Sequence, residues 1–335
     1  MTTTLTGPVL VLLDHASTGA LRTTVLELLT LARGLGTVHG AWVPAAGTPA
    51  AAGPDDATLA LLGEHGVETV HVVDLGAADA RLAPVVAEGL TALATGTGAS
   101  ALLLTSSFEN KEVAARVGLA ARAGVVVDAS GAEVDDQGRV VVAKTVFAGT
   151  WNTRCAIRTD LAVVAFKANS VQAVPADAAT VPATERLSVA VSEAAGRASV
   201  VEHTERVASD RPALGEAQVV VVGGRGTNGD FSAVEELADV LGGAVGATRV
   251  ATDEGWIGHD AQIGQTGVTI APKLYIGAGV SGAVHHRGGM QSSGTIVAVN
   301  SDPESPIFEI ADYGIVGDLF TVLPQTAAEL RRLQG

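Results

Sequence analysis

Residues 218–249 read QVVVVGGRGTNGDFSAVEELADVLGGAVGATR. The valines after Gln218 form a short, wholly apolar run, the kind that a parallel sheet buries on both faces. A glycine-rich loop follows, then Ala233–Leu241 at helical spacing, then a second strand over Ala244–Arg249. Strand, tight loop, helix and strand make the repeating unit of an open parallel α/β sheet. The alternation continues with strands Leu274–Ala278, Thr295–Asn300 and Ile315–Gly317 and a closing helix over Leu319–Arg332. This predicts a Rossmann-like parallel α/β domain over about 208–335.

Upstream, the first half alternates in the same way. Val9–Asp14, Val38–Val43, Thr69–Val73 and Ala101–Thr105 read as strands. Leu21–Leu35, Ala57–Glu64, Leu82–Ala94 and Lys111–Ala123 read as helices, which predicts a doubly wound α/β domain. After Val125, the runs Val140–Phe147, Thr153–Arg158 and Leu161–Phe166 read as added antiparallel strands, and Leu187–Val191 and Ser199–Arg206 extend them. The stretch Ala208–Glu216, ASDRPALGE, has no periodicity and reads as a linker. The expected domains are therefore 1–207 and 208–335.

Composition narrows the classes. The chain has 335 residues, is 47% hydrophobic and only 17% charged, with a mean hydropathy of +0.34. That excludes a disordered chain, which lacks the apolar surface to offset ordering entropy. No run approaches the roughly 18 unbroken apolar residues of a spanning helix, and the N-terminus MTTTLTGP reads as no secretory signal, so a cytoplasmic bacterial protein without membrane insertion is expected. Net charge is −15, which disfavours nucleic acid as a partner. With Cys155 as the only cysteine, an internal disulfide and a Cys-rich metal site are excluded. Aromatics are 3% against 40 glycines, so the core is filled by Val, Ala and Leu.

Gly224–Arg225–Gly226–Thr227–Asn228–Gly229 matches GxGxxG between a strand and a helix, where backbone N–H groups and a helix N-terminus favour a pyrophosphate. An NAD site also needs a carboxylate about 20 residues further on for the ribose hydroxyls. Here the second strand ends at Thr248–Arg249, with a cation in that place, which argues against ordinary NAD binding. Residues 255–290 gather Gln262, Gln265, Thr266, Ser281, His285 and His286 among short glycine-bracketed turns. Loops of this kind at strand ends hold ligands. The adjacent His285 and His286 have no third ligand at metal spacing, and Gly279–Val280–Ser281–Gly282 is not a GxSxG elbow.

Six ordered blocks carry a resemblance: Gly223–Gly226, Ala244–Arg249, Ile263–Gly267, Val280–Ala283, Ala298–Pro303 and Ala311–Leu319. Together they resemble the electron transfer flavoprotein alpha-subunit family, and 102–130, LLLTSSFENKEVAARVGLAARAGVVVDAS, is the clearest block of the N-terminal half. The resemblance implies a redox electron carrier rather than a substrate-converting enzyme. It implies FAD held by the C-terminal domain, and a heterodimer whose beta subunit shares a base with the N-terminal domain and carries AMP. Electrons would come from flavin dehydrogenases, typically the acyl-CoA dehydrogenases of fatty acid beta-oxidation, and pass to a membrane quinone oxidoreductase.

Carried over residue by residue, the resemblance implies that Arg225 contacts the pyrophosphate. Arg249, next to Thr248, lies over the isoalloxazine. Thr266 bonds near flavin N5 within the turn Ile263, Gly264, Gln265, Thr266. Ser281 and the turn through Gly282 to Ala283 bind the linker, Val284 and His285 belong to the same cofactor-binding set, and His286 reaches the pyrimidine end of the flavin. Asn300 and Asp318 hold the ribose and adenine portion, with Leu319 also in the cofactor-binding set. Two departures stand out: Thr248 replaces the family's usual Ser, and His285 replaces a Gln. The alternatives are a NAD-dependent oxidoreductase, a bifurcating member of the family that accepts electrons from NADH, and a nucleotide-binding sensor built on the N-terminal domain.

Overall fold

The computed structural model describes residues 3–44, 48–147, 150–202 and 210–334. The chain divides into two compact units, Met1–Lys144 with Asn152–Glu205, and Arg206–Gly335 with Thr145–Trp151.

In the first unit, β1 (Val9–Leu12), α1 (Thr23–Leu35), β2 (Val38–Trp42), α2 (Asp56–Glu64), β3 (Val67–Asp74), α3 (Ala83–Thr97), β4 (Ala101–Thr105), α4 (Phe108–Ala121) and β5 (Gly124–Ala129) follow one another. Then come β6 (Gly131–Val134), β7 (Val140–Val146), β8 (Trp151–Ala156), β9 (Ala162–Phe166) and β10 (Ala183–Ser188). The main sheet has the order β10-β3-β2-β1-β4-β9-β5, with every neighbouring pair parallel. Strand alternation divides the core between the two faces: Val9 and Val11 join Leu28, Leu29 and Trp42 on one, and Leu10 and Leu12 join Leu90, Val113 and Val117 on the other. Burial of both faces is what a doubly wound sheet requires.

Three expectations change here. Leu161–Phe166 is not an added antiparallel strand, because β9 lies parallel between β4 and β5 in the main sheet. All its residues are buried, and its sequence AVVAF has no polar alternation, the mark of an interior parallel strand. The antiparallel addition is a separate sheet of order β6-β7-β8, with β6 and β7 paired antiparallel. Leu187–Val191 is largely replaced by β10, an exposed edge strand parallel to β3. Of Ser199–Arg206, residues 203–206 lie outside the described residues and 199–202 form no strand; 208 and 209 of the linker also lie outside.

The second unit contains β11 (Val219–Gly223), α5 (Ser232–Leu241), β12 (Ala244–Ala247), α6 (Arg249–Asp253), β13 (Leu274–Ala278), α7 (Val284–Met290), β14 (Thr295–Asn300), β15 (Tyr313–Val316) and α8 (Leu319–Gln334). Its sheet has the order β12-β11-β13-β14-β15 and is parallel throughout. Val221 packs with Val234, Leu237, Leu323 and Ala327 beneath α5 and α8. Val220 and Val222 face the opposite layer with Ile263, Tyr275 and Met290. Among the described residues no helix is long and apolar enough to cross a membrane.

Candidate functional site

From β11 the chain moves outward to β12 and then returns to the other side of β11 as β13. The carboxyl ends of β11 and β13 are thus the topological switch point, where open α/β sheets bind ligands. The glycine turn lies there. Gly224 N–H donates to Ala278 O at 3.0 Å, Gly226 N–H to Gly279 O at 3.1 Å, and Asn228 N–H to Arg225 O at 3.1 Å. These donors are consumed inside the protein. They do not form the open N–H cradle that GxGxxG predicts, and α5 begins only at Ser232. The glycines instead let two backbones touch: a Cβ on Gly224 would lie 2.3 Å from Gly279 O. Arg225 stands exposed at the apex of the turn.

The strand β12 ends at Ala247, and Thr248 N–H donates to Gly223 O at 3.0 Å. Arg249 is the first residue of α6 rather than the last of a strand. Its guanidinium is exposed and pairs with Asp253 at 3.1 Å, a solvent-screened contact that costs little to exchange. Thr248 Oγ1 is buried and has no hydrogen-bond partner among the described residues. Buried hydroxyls are normally satisfied, so an unpaired one at the switch point marks a place for a ligand acceptor or donor.

The loop after α6 is held by side chains. Thr252 Oγ1 lies 2.7 Å from Gln262 Oε1, and Gln262 Nε2 lies 3.1 Å from Thr266 Oγ1. Thr252 and Gln262 are buried, whereas Gln265 and Thr266 are exposed. Gln265 N–H donates to His285 O at 3.0 Å, tying this loop to the start of α7. Ile263 and Gly264 are buried beneath it.

The two histidines part company. His286 is buried; its Nδ1 is 3.1 Å from Ile263 O and its Nε2 is 2.8 Å from the Tyr275 hydroxyl. A carbonyl only accepts, so Nδ1 carries the proton and Nε2 accepts from Tyr275. Burial pulls the His286 pKa down to about 4 and pushes the Tyr275 phenol up. His286 is therefore a neutral strut between the Ile263 loop and β13, and the exposed imidazole of the pair is His285. Sequence reasoning missed Tyr275. Its signal was a lone phenol in the apolar strand LYIGA, where a buried hydroxyl needs a partner.

On the β13–α7 loop Ser281 and Ala283 are exposed and Gly282 is buried with φ +78; Val284 and His285, in the first turn of α7, are exposed too. Asn300 ties this loop down: its Nδ2 donates to Val280 O at 2.9 Å and Ser305 Oγ at 3.0 Å, and its Oδ1 accepts from Asp302 N–H at 3.0 Å. Both its donors are spent inside the protein. Asp318 caps α8, accepting from Phe320 N–H at 3.1 Å, with Leu319 buried behind it. These residues lie in the loops beyond the carboxyl ends of the strands of one sheet and in the first turns of the helices that follow, with Asn300 the last residue of β14. Among the described residues no group of three His, Cys, Asp or Glu side chains is placed to hold a metal ion.

Comparison with known proteins agrees with this architecture. Residues 213–291 match the family described as the electron transfer flavoprotein FAD-binding domain, and residues 9–192 match the electron transfer flavoprotein domain. The electron transfer flavoprotein subunit alpha of Mycobacterium leprae (strain TN) is 42% identical over 329 residues, 97% of this chain and 99% of that protein. That of Mycobacterium tuberculosis (strain CDC 1551 / Oshkosh) is 41% identical over 330 residues, 98% of this chain and 99% of that protein. The Paracoccus denitrificans subunit alpha is 55% identical over 124 residues, 36% of this chain and 40% of that protein. The buried, unpaired Thr248 hydroxyl and the converging loops fit a flavin nucleotide, and the chain belongs to the electron transfer flavoprotein alpha-subunit family, with FAD as its cofactor.

Proposed function

We propose that this chain is the FAD-bearing alpha subunit of a heterodimeric electron carrier in the bacterial cytoplasm. It takes electrons from flavin dehydrogenases, acyl-CoA dehydrogenases foremost, and delivers them to a membrane quinone oxidoreductase without converting a substrate of its own. Residues 1–207 would form the base shared with a beta subunit, which carries AMP, and 208–335 would hold the FAD. The observation that carries this reading is the near-full-length match to named alpha subunits, joined to a switch point with an unpaired buried hydroxyl.

Bound FAD supplies the redox chemistry through its isoalloxazine ring, and the protein tunes it with charge and hydrogen bonds. Exposed Arg225 would donate to the pyrophosphate, a charge-assisted contact. Arg249, released from Asp253, would stabilise negative charge on the ring. Thr248 supplies a hydroxyl to the flavin edge, and Thr266 presents its own to N5, with Gln265 alongside. Ser281 through Val284 line the linker. Asn300 and Asp318 shape the adenosine end chiefly by holding their loops, and His286 orders the loop behind the ring while His285 faces outward.

Replacing Thr248 by Val removes a hydroxyl that has no hydrogen-bond partner among the described residues, so the FAD-free protein should be as stable as before, or more so. FAD affinity should fall by about fivefold, the worth of one neutral hydrogen bond; thermal unfolding with and without FAD reads both.

The overall reading is tested by expressing the chain with a beta subunit encoded beside it. A yellow one-to-one complex, bleached by an acyl-CoA dehydrogenase with its substrate and not by NADH, is the expected result. Bleaching by NADH alone would instead mark a bifurcating member or a NAD-dependent oxidoreductase, and a colourless complex would overturn the reading.

A further inference from the structure

Thr252 and Gln262 form a small buried network, 3% and 7% exposed, that ends on the exposed hydroxyl of Thr266. Thr252 Oγ1 has two acceptor oxygens in reach: the Arg249 carbonyl at 2.9 Å and Gln262 Oε1 at 2.7 Å. A hydroxyl carries one proton, so only one of them is served at a time. At the far end, the Gln262 amide meets Thr266 Oγ1 at 3.1 Å.

Two arrangements satisfy these atoms. In the first, Thr252 donates to the Gln262 carbonyl oxygen, the Gln262 NH2 donates to Thr266, and the Thr266 proton is left to point outward. In the second, the Gln262 amide is turned by half a revolution. Its NH2 then donates to Thr252, the Thr252 proton turns to the Arg249 carbonyl, and Thr266 donates inward to the Gln262 oxygen. Thr266 now shows only lone pairs to the outside. The terminal amide torsion is roughly two-fold, and a buried unpaired polar group is costly. Because the Arg249 carbonyl lies within reach of Thr252, neither arrangement leaves a buried side-chain group of this network unpaired.

We propose that Thr252 and Gln262 are positioning residues that form a reversible hydrogen-bond relay, which sets whether Thr266 donates to the flavin or accepts from it. The inference rests on the reading of Thr266 as the neighbour of flavin N5. Oxidised isoalloxazine presents a lone pair at N5 and is met by the first arrangement. Two-electron reduction with protonation places an N–H there, met by the second. The electrons come from the donor flavoprotein and the N5 proton from solvent; the relay reorients its own protons and gives none away. One-electron reduction without protonation leaves N5 an acceptor, and the first arrangement stays.

The test uses the FAD-loaded heterodimer with its glutamine side-chain carboxamides labelled with carbon-13. Infrared difference spectra are taken between the fully reduced and oxidised forms, and flavin absorbance confirms loading of every variant. The expected result is a paired labelled-amide band that is lost in Gln262→Met, lost in Thr252→Val and restored in Thr252→Ser. A band that survives Gln262→Met, a Thr252→Val spectrum like that of the unaltered protein, or no band in the unaltered protein overturns the relay while leaving the FAD site intact. A Thr266→Val variant whose flavin potential and visible spectrum are unchanged overturns the placement of Thr266 itself, and the relay with it. If Gln262→Met yields no folded complex, the Val and Ser variants of Thr252 decide the matter.

Discussion

A Gly279→Val variant should be isolated without FAD. Gly279 has φ +62, and a Cβ there would lie 2.7 Å from the Gly226 Cα and 3.0 Å from Leu319 Cδ2. A left-handed backbone costs a residue with a Cβ about 1–2 kcal/mol, and a forced overlap about 1–3 kcal/mol more. Part of the overlap is with backbone, so no rotamer relieves it. The Gly224–Gly226 turn and the Gly279 turn must separate, which moves Arg225 and the Val280–Ser281 segment apart. Affinity for FAD should drop by about a hundredfold or more, since about 1.4 kcal/mol is a factor of ten. Titration of the apo complex with FAD measures it, and an affinity within about threefold of the unaltered protein would refute the role of this contact.

The second large effect is on acid stability. The His286 pKa is about 4 in the folded protein, while an unfolded histidine titrates at about 6.5. Between these values the unfolded chain binds the proton and the folded chain does not, so stability rises with pH across this window and is lost as pH falls through it. At about 1.4 kcal/mol per unit, His286 should withdraw about 3 kcal/mol by pH 4. Denaturant unfolding at intervals from pH 7 to 4 should show that loss, with a visibly shallower slope in His286→Gln. His39, His65 and His71, also lowered by burial, contribute to both proteins alike and cancel in the comparison. Equal slopes would mean that His286 is solvated or charged in the folded state.

Much of the second unit was legible in the sequence, because its strands are short and apolar and its loops carry unusual residues. Leu274–Ala278 and Thr295–Asn300 coincide with β13 and β14. The reading failed where the same apolar run serves two architectures. Leu161–Phe166 follows two strands in sequence and so looked like the next member of their sheet, although its lack of polar alternation fits the interior of the parallel one. At the site, composition located the loops but not the direction of their side chains. His285 and His286 are identical in type and adjacent in sequence, yet one is exposed and one buried against Tyr275. Only the partner strand, eleven residues upstream of His286, distinguishes them.

The sequence alone determined the class of molecule: apolar strands at βα spacing, few charges, and six ordered blocks that carry the family resemblance. Those properties are local and survive being read one residue at a time. The tertiary structure decided what each polar atom is free to do. It directed the N–H groups of Gly224 and Gly226 to Ala278 and Gly279, left the Thr248 hydroxyl without a partner among the described residues, and gave Thr252 two acceptors for one proton. Hydrogen-bond capacity is counted per atom, and which atoms remain unspent depends on neighbours brought together by folding.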